Sequence, residues 1–245
     1  MRLPLRSLSK AEPVVAFAVL LGLVVALQVA GAAYASGFGG YPDEPAHVVT
    51  SLMVRDFIAG LDFRHPWQFA QQYYYHYPQV AIGHWPPVFY GALGIWFLVF
   101  DASRGTALMF IAVVAATTAS IIYLTGRRLI GRWAGVMAAA LFVASPLVQE
   151  SSARVMTEHL STLGMLVSTL SFARFARTGR IGDGLAFGPG FWYGCGRGHL
   201  DPCQCLGTCL SARDNGCSEM RCFRCWRSSR PAIGTSSTRQ GIDSL

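Results

Sequence analysis

The run VVAFAVLLGLVVALQVAGAAYA, from Val14 to Ala35, restricts what this chain can become more than any other feature. Its 22 residues include one strongly polar member, Gln28. As a helix the run would be about 33 Å long, enough to cross the hydrocarbon core of a bilayer. Arg2, Arg6 and Lys10 precede it and AYAS closes it, a layout that secretory signals also show. The run is longer than a signal core and more apolar segments come after it, so it reads as a retained anchor. The basic N-terminus then stays on the cytoplasmic side, and the residues after Ala35 emerge on the outer face.

Composition supports a membrane protein. Hydrophobic residues make up 52 % of the chain and charged residues 13 %, against about 25 % charged in soluble domains. There are four further apolar segments: Pro86 to Phe100, Thr106 to Leu124, Ala134 to Val148 and Leu160 to Phe175. The expected fold class is therefore all-α integral membrane, a polytopic bundle of about 4–5 transmembrane helices in the inner or plasma membrane. An external loop, residues 36–85, joins its first two helices. Basic clusters in GRRLIGR (Gly126 to Arg132) and RFARTGR (Arg174 to Arg180) favour the cytoplasm. Yet if Pro86–Phe100 and Thr106–Leu124 both span, alternation puts GRRLIGR outside, so one of the two must be incompletely inserted or the charge rule must fail there. The net charge of +7 is almost all arginine flanking apolar runs, and without an aromatic-basic stripe it gives no reason to expect nucleic acid as a partner.

The external loop opens on GGYPDEPAHVV, Gly39 to Val49. Asp43 and Glu44 lie just past the first span, with His47 close behind. A solvated loop is one reading. The other is a reaction centre at the bilayer surface, where a carboxylate accepts a proton from an attacking hydroxyl and a histidine or arginine offsets charge on a phosphate leaving group. Val48 to Leu61 has roughly helical apolar spacing and could lie along the interface. Trp67 to Gln79, WQFAQQYYYHYPQ, packs aromatics in the manner of a membrane-surface anchor, or of a grip on a lipid chain or acceptor. His84 precedes Pro86 and Pro87, which suit a helix start. SSARVMTEHL, Ser151 to Leu160, adds Arg154, Glu158 and His159, either as an interfacial cap with a snorkelling arginine or as site residues on the same face as Asp43. DEPAH could ligate a divalent metal, although two carboxylates and an imidazole do not by themselves require one.

Together DEPAH, HWPPVFYGALGIWFLVF, IIYLTGRRLIGRWAGVMAAALFVASPLVQESSARVMTEHLSTL and FARFARTGR form a continuous pattern. It resembles the N-terminal part of the GT-C class of polytopic glycosyltransferases, in the branch of dolichyl-phosphate-mannose protein mannosyltransferase-like and aminoarabinose-transferase-like enzymes. The resemblance covers roughly residues 10 to 185. It implies transfer of a sugar from a polyprenyl-phosphate-linked donor, on the outer membrane face, to a hydroxyl or phosphate of a lipid, polysaccharide or protein acceptor. It implies catalytic roles for Asp43, near the reacting hydroxyl, with Glu44 in support. Glu158 stands where the family commonly has aspartate, one methylene longer. His84 matches the position before the proline pair, near the expected donor phosphate, while His47 and Arg154 are candidate donor-phosphate or substrate contacts from the residues themselves. Membrane lipids are expected partners throughout.

Residues 181–245 break this pattern. All seven cysteines lie between Cys195 and Cys225, among arginine, glycine, serine and tryptophan, with neither helical nor strand periodicity. A zinc or disulfide module would show two well-spaced pairs or an even count, and only Cys222-x-x-Cys225 is well spaced. The expected organisation is a transmembrane part, 1–180, and an out-of-frame or disordered tail, 181–245, on a truncated product of doubtful activity. If so, translating the other two frames of the DNA beyond codon 175 should reveal further long apolar segments; their absence would make the cysteine-rich tail genuine. A transporter or assembly subunit is the competing class, but ionisable residues inside the spans, its usual mark, are nearly missing. A decayed gene without activity is the third reading.

Overall fold

The computed structural model describes residues 11–35, 37–38, 41–61, 63–81, 87–179 and 182. All lie within one compact unit, Met1–Gly196. The expected positions His84 and 181–245 fall outside the described residues, apart from the single residue Gly182.

Regular structure among the described residues is entirely helical: α1 (Glu12–Ala30), α2 (Asp43–Ala59), α3 (Pro66–His76), α4 (Pro87–Val99), α5 (Arg104–Leu129), α6 (Arg132–Ala144), α7 (Pro146–Ser152) and α8 (Glu158–Thr178). Two of these, α1 and α5, are long and apolar enough to cross a membrane, and α6 with α7 makes a third if that pair, bent by 59°, counts as one span. The bend falls at Ser145–Pro146, where proline has no N–H to continue the ladder. With the other apolar segments this makes an integral membrane protein, but with fewer full-length crossings than the five apolar runs suggest. The run from Pro86 yields a helix of only 13 residues, about 20 Å long. It stops before Asp101, and Ser103 then caps α5 by accepting the Thr106 backbone N–H at 3.2 Å.

Helix α5 is the centre of the bundle. Its alanines Ala107, Ala112, Ala115, Ala116 and Ala119 are all fully buried. Small side chains let neighbouring backbones approach, which replaces the hydrophobic effect as the means of association in lipid. Of the most apolar window in α5, 61 % is buried, against 11 % in α1, so α1 keeps most of its surface for lipid. Helix α6 packs its Gly135 directly on the backbone of α5. A side chain on Gly135 would come within 2.5 Å of the Tyr123 carbonyl oxygen, so only glycine fits there.

Side-chain contacts set the direction of the helices. Gln28, near the end of α1, donates to the Leu108 carbonyl near the start of α5 at 3.2 Å. Glu12, at the start of α1, accepts from Tyr123 at 2.7 Å and pairs with Arg127, both near the end of α5. The two helices are therefore antiparallel. Arg127, Arg128 and Arg132 gather at the end of the bundle where α1 begins. Helix α4, at 13 residues, is shorter than the candidate spans α1 and α5.

Candidate functional site

The motif DEPAH is not in a loop. It forms the first turn of α2, with Asp43 as the first helical residue and Glu44 the second. Both lie among the unpaired N–H groups at the start of the helix, a placement common for acidic side chains. The next turns use the neighbours differently.

Glu44 points inward and is 1 % exposed. Its Oε1 accepts from Arg104 Nε at 3.2 Å and from the Val155 backbone N–H at 3.1 Å. Arg104 Nη1 also donates to the Ala33 carbonyl, and Nη2 donates to the Ala153 carbonyl at 3.2 Å. One guanidinium thus ties together the turn after α1, the first turn of α2 and the turn between α7 and α8. Its planar fork spreads five donors over several ångströms, a reach that the compact ammonium of a lysine lacks. Gln28 reinforces the junction by donating to the Ser152 carbonyl at 2.7 Å while accepting from Tyr34 at 2.8 Å.

His47 is also buried, at 1 % exposure. Its Nδ1 lies 3.2 Å from the Tyr90 hydroxyl, and its ring packs edge-on against Phe89. Burial pushes its pKa below the ordinary value, and the charge of Asp43, one turn earlier on the same face, only partly opposes this. In the unfolded chain the same imidazole takes up a proton near pH 6.5. Stability should therefore hold above about pH 6.5 and fall as pH drops below it, since the unfolded state then binds more protons. Unfolding temperatures in detergent at pH 7.5 and 5.5 should show this acid loss, reduced in His47→Gln; an undiminished loss in the variant would assign it to other groups.

Asp43 differs from both. It is half-buried, makes no hydrogen bond or ion pair with another described residue, and lines an open groove of about 650 Å³ between α2 and α3. The far wall comes from Trp67, Gln71, Tyr74 and Tyr75, and from the stretch Pro78 to Ala81. Helix α3 can form that wall because its aromatics divide between two faces. Phe69 packs 5.3 Å from Phe57 of α2, and Tyr73 donates to Asp56 at 3.1 Å, so that face holds the helix in place. Ala81 N–H donates to Thr50 at 3.0 Å and closes the end.

Arg154 reaches the same junction from the opposite side. Its guanidinium lies 4.3 Å from the centre of the Tyr41 ring, two residues before Asp43, and pairs with Glu150 at 3.0 Å. Glu158 is exposed in the first turn of α8 and does not line the groove. Its neighbour His159 is buried, with Nε2 at 3.0 Å from the hydroxyls of both Ser151 and Ser152. Among the described residues no three of His, Cys, Asp and Glu converge as a metal cage would require. Within DEPAH itself, Glu44 is turned to Arg104 and His47 to Tyr90, so the motif as folded does not fit a metal.

Arg104 and Tyr90 were not among the residues singled out from the sequence. The signal for Arg104 was its position, a lone arginine at the mouth of an apolar helix, which requires a partner that only the fold identifies.

Residues 84–196 match the family model described as dolichyl-phosphate-mannose-protein mannosyltransferase. The chain resembles that family. The match and the apolar helices together indicate a membrane glycosyltransferase. The match takes in α4 through α8, and so Arg104, Arg154 and Glu158, whereas Asp43, Glu44 and the groove precede it. It ends at residue 196, as does the compact unit. No curated protein and no solved structure matches the chain.

Proposed function

We propose that this chain transfers a sugar from a polyprenyl-phosphate-linked donor to an acceptor hydroxyl, with Asp43 as the general base. The observation that carries this is the contrast between adjacent acids: Glu44 is consumed by a buried ion pair, while Asp43 faces an open groove without a partner among the described residues. The acceptor oxygen attacks the anomeric carbon, and Asp43 takes its proton as that bond forms. The bond from the anomeric carbon to the phosphate oxygen breaks, and its electron pair leaves with the polyprenyl phosphate. Arg154 offsets the charge that develops there, by its position beside Tyr41 on the same junction.

His84 stays a proposed donor-phosphate contact from its place before the proline pair. His47 supports the site through Tyr90 and the charge of Asp43 rather than by open contact with a ligand. Glu44 acts through position, and Glu158 sits beside the turn that carries Arg154. The basic residues ahead of α1 in the chain, and Arg127, Arg128 and Arg132 at the same end of the bundle, argue that this end is cytoplasmic and the Asp43 end external. A phosphate-linked lipid donor in the outer leaflet would present its headgroup at that level. Sugar transfer by membranes carrying the chain, with and without the Asp43 carboxylate, tests the proposal.

A further inference from the structure

We infer that the groove between α2 and α3 is the acceptor site and that the acceptor is a carbohydrate, so that the enzyme extends a glycan. This rests on the transferase reading above and names its acceptor class.

The groove wall on α3 combines flat apolar faces with amides. Trp67, Tyr74 and Tyr75 stand 62 %, 47 % and 83 % exposed, although the other face of the same helix is packed against α2. The amides of Gln71 and Gln79 lie among them. Each amide can donate and accept at once, which matches the neighbouring hydroxyls of a sugar. An aromatic face offers a broad surface to the C–H side of a pyranose or furanose ring at little entropic cost, because it has only two side-chain torsions. The volume, about 650 Å³, is that of a small-molecule site rather than of a macromolecular interface.

Charge narrows the choice. The described groove lining contains a carboxylate, Asp43, and neither lysine, arginine nor histidine. A phosphorylated headgroup or an acidic peptide would meet repulsion there without compensation. An acyl chain would strip water from Gln71, Gln79 and Asp43 and give them no hydrogen bond in return. A neutral polyol satisfies all of these groups, and one of its hydroxyls comes to rest beside Asp43. The cation needed by the donor phosphate, Arg154, lies outside the groove lining, on the Tyr41 side of α2. Donor and acceptor chemistry are thus separated on the two sides of one helix turn.

The test uses the full chain in lipid nanodiscs and a panel of methyl pyranosides and furanosides, observed by saturation-transfer NMR. At least one glycoside should receive saturation on its ring protons. Trp67→Ala and Tyr75→Ala should each weaken its binding about tenfold, the loss expected for one aromatic contact. Trp133→Ala, which removes an exposed tryptophan from the start of α6, should leave it unchanged. Gln71→Leu, which keeps size and helix propensity, should weaken binding without altering yield. No saturation of any glycoside, or binding indifferent to both groove aromatics, overturns the inference. So does quenching by brominated lipid that falls on Trp67→Ala while glycoside binding persists, since Trp67 would then be a membrane anchor. Glycoside binding is read without turnover. Loss of the acceptor reading can therefore be told apart from loss of the transferase reading, which the Asp43 variant decides.

Discussion

Asp43→Asn is expected to lower sugar transfer by at least about 100-fold, the lower range of what a positioned general base contributes. The assay follows labelled sugar from a polyprenyl-phosphate donor into product, in membranes that carry the chain. Asparagine keeps the size and one oxygen of the side chain, and removes its charge and its ability to take up a proton. The first turn of α2 should form as before. Loss of one charge at a helix N-terminus costs only about 0.3–1 kcal/mol, too little to unfold the bundle. Carbonate-resistant membrane insertion should be unchanged, and so should the thermal unfolding profile in detergent. Transfer that survives the substitution would sink the proposed mechanism, because among the described residues the groove lining holds no other carboxylate. Glu44→Gln provides the contrast. Its effect should appear in stability, because Glu44 is turned away from the groove and bonded to Arg104 and Val155.

Arg104→Met should be the most destabilising single change, by about 3–5 kcal/mol, the range for breaking a buried ion pair from one side. The substitution leaves the Glu44 carboxylate, 1 % exposed, with the Val155 N–H as its described partner, and it strips the Ala33 and Ala153 carbonyls of a donor. Against a total stability of about 5–15 kcal/mol in typical domains, such a loss is a large fraction. Fluorescence-detected size exclusion after heating would measure it. Arg104→Lys should restore only part, since its three donors sit on one compact nitrogen and do not spread as the guanidinium does. The double variant Glu44→Leu with Arg104→Met should recover more than the lysine variant, because it removes the stranded charge. It should still fall short of the parent, because the bond from Val155 N–H to Glu44 and those from Arg104 to the Ala33 and Ala153 carbonyls are not replaced. An Arg104→Met protein within about 1 kcal/mol of the parent would show that the junction is not held by this pair.

The two variants separate neighbouring acids that look equivalent as letters. Asp43 and Glu44 are adjacent, similarly charged and both in the first turn of α2. A helix advances about 100° per residue, so adjacent side chains leave in different directions. One meets α5 and the other meets solvent. No local pattern states which, because the partner of Glu44 is 60 residues away in the chain. The same reasoning applies to WQFAQQYYYHYPQ. Its crowding of aromatics suggests a membrane surface, whereas the 3.6-residue period sorts them into a packed face and a groove face once α2 is in place. Topology behaved likewise. Apolar length allowed five crossings, and the pairing of Gln28 with Leu108 and of Glu12 with Tyr123 determined how α1 runs against α5.

The membrane class, the helical fold, the family resemblance and the residues worth examining were all legible in the string of residues. Those come from local quantities, namely run length, hydropathy and the order of motifs, which a chain expresses wherever it goes. Tertiary structure alone decided that Glu44 is a strut and Asp43 a free carboxylate among the described residues, that Arg104 joins three segments, and that Arg154 reaches the Asp43 junction. These depend on which distant segments meet at one end of the bundle, and a meeting of that kind is settled by packing around α5 rather than by any stretch of residues read alone.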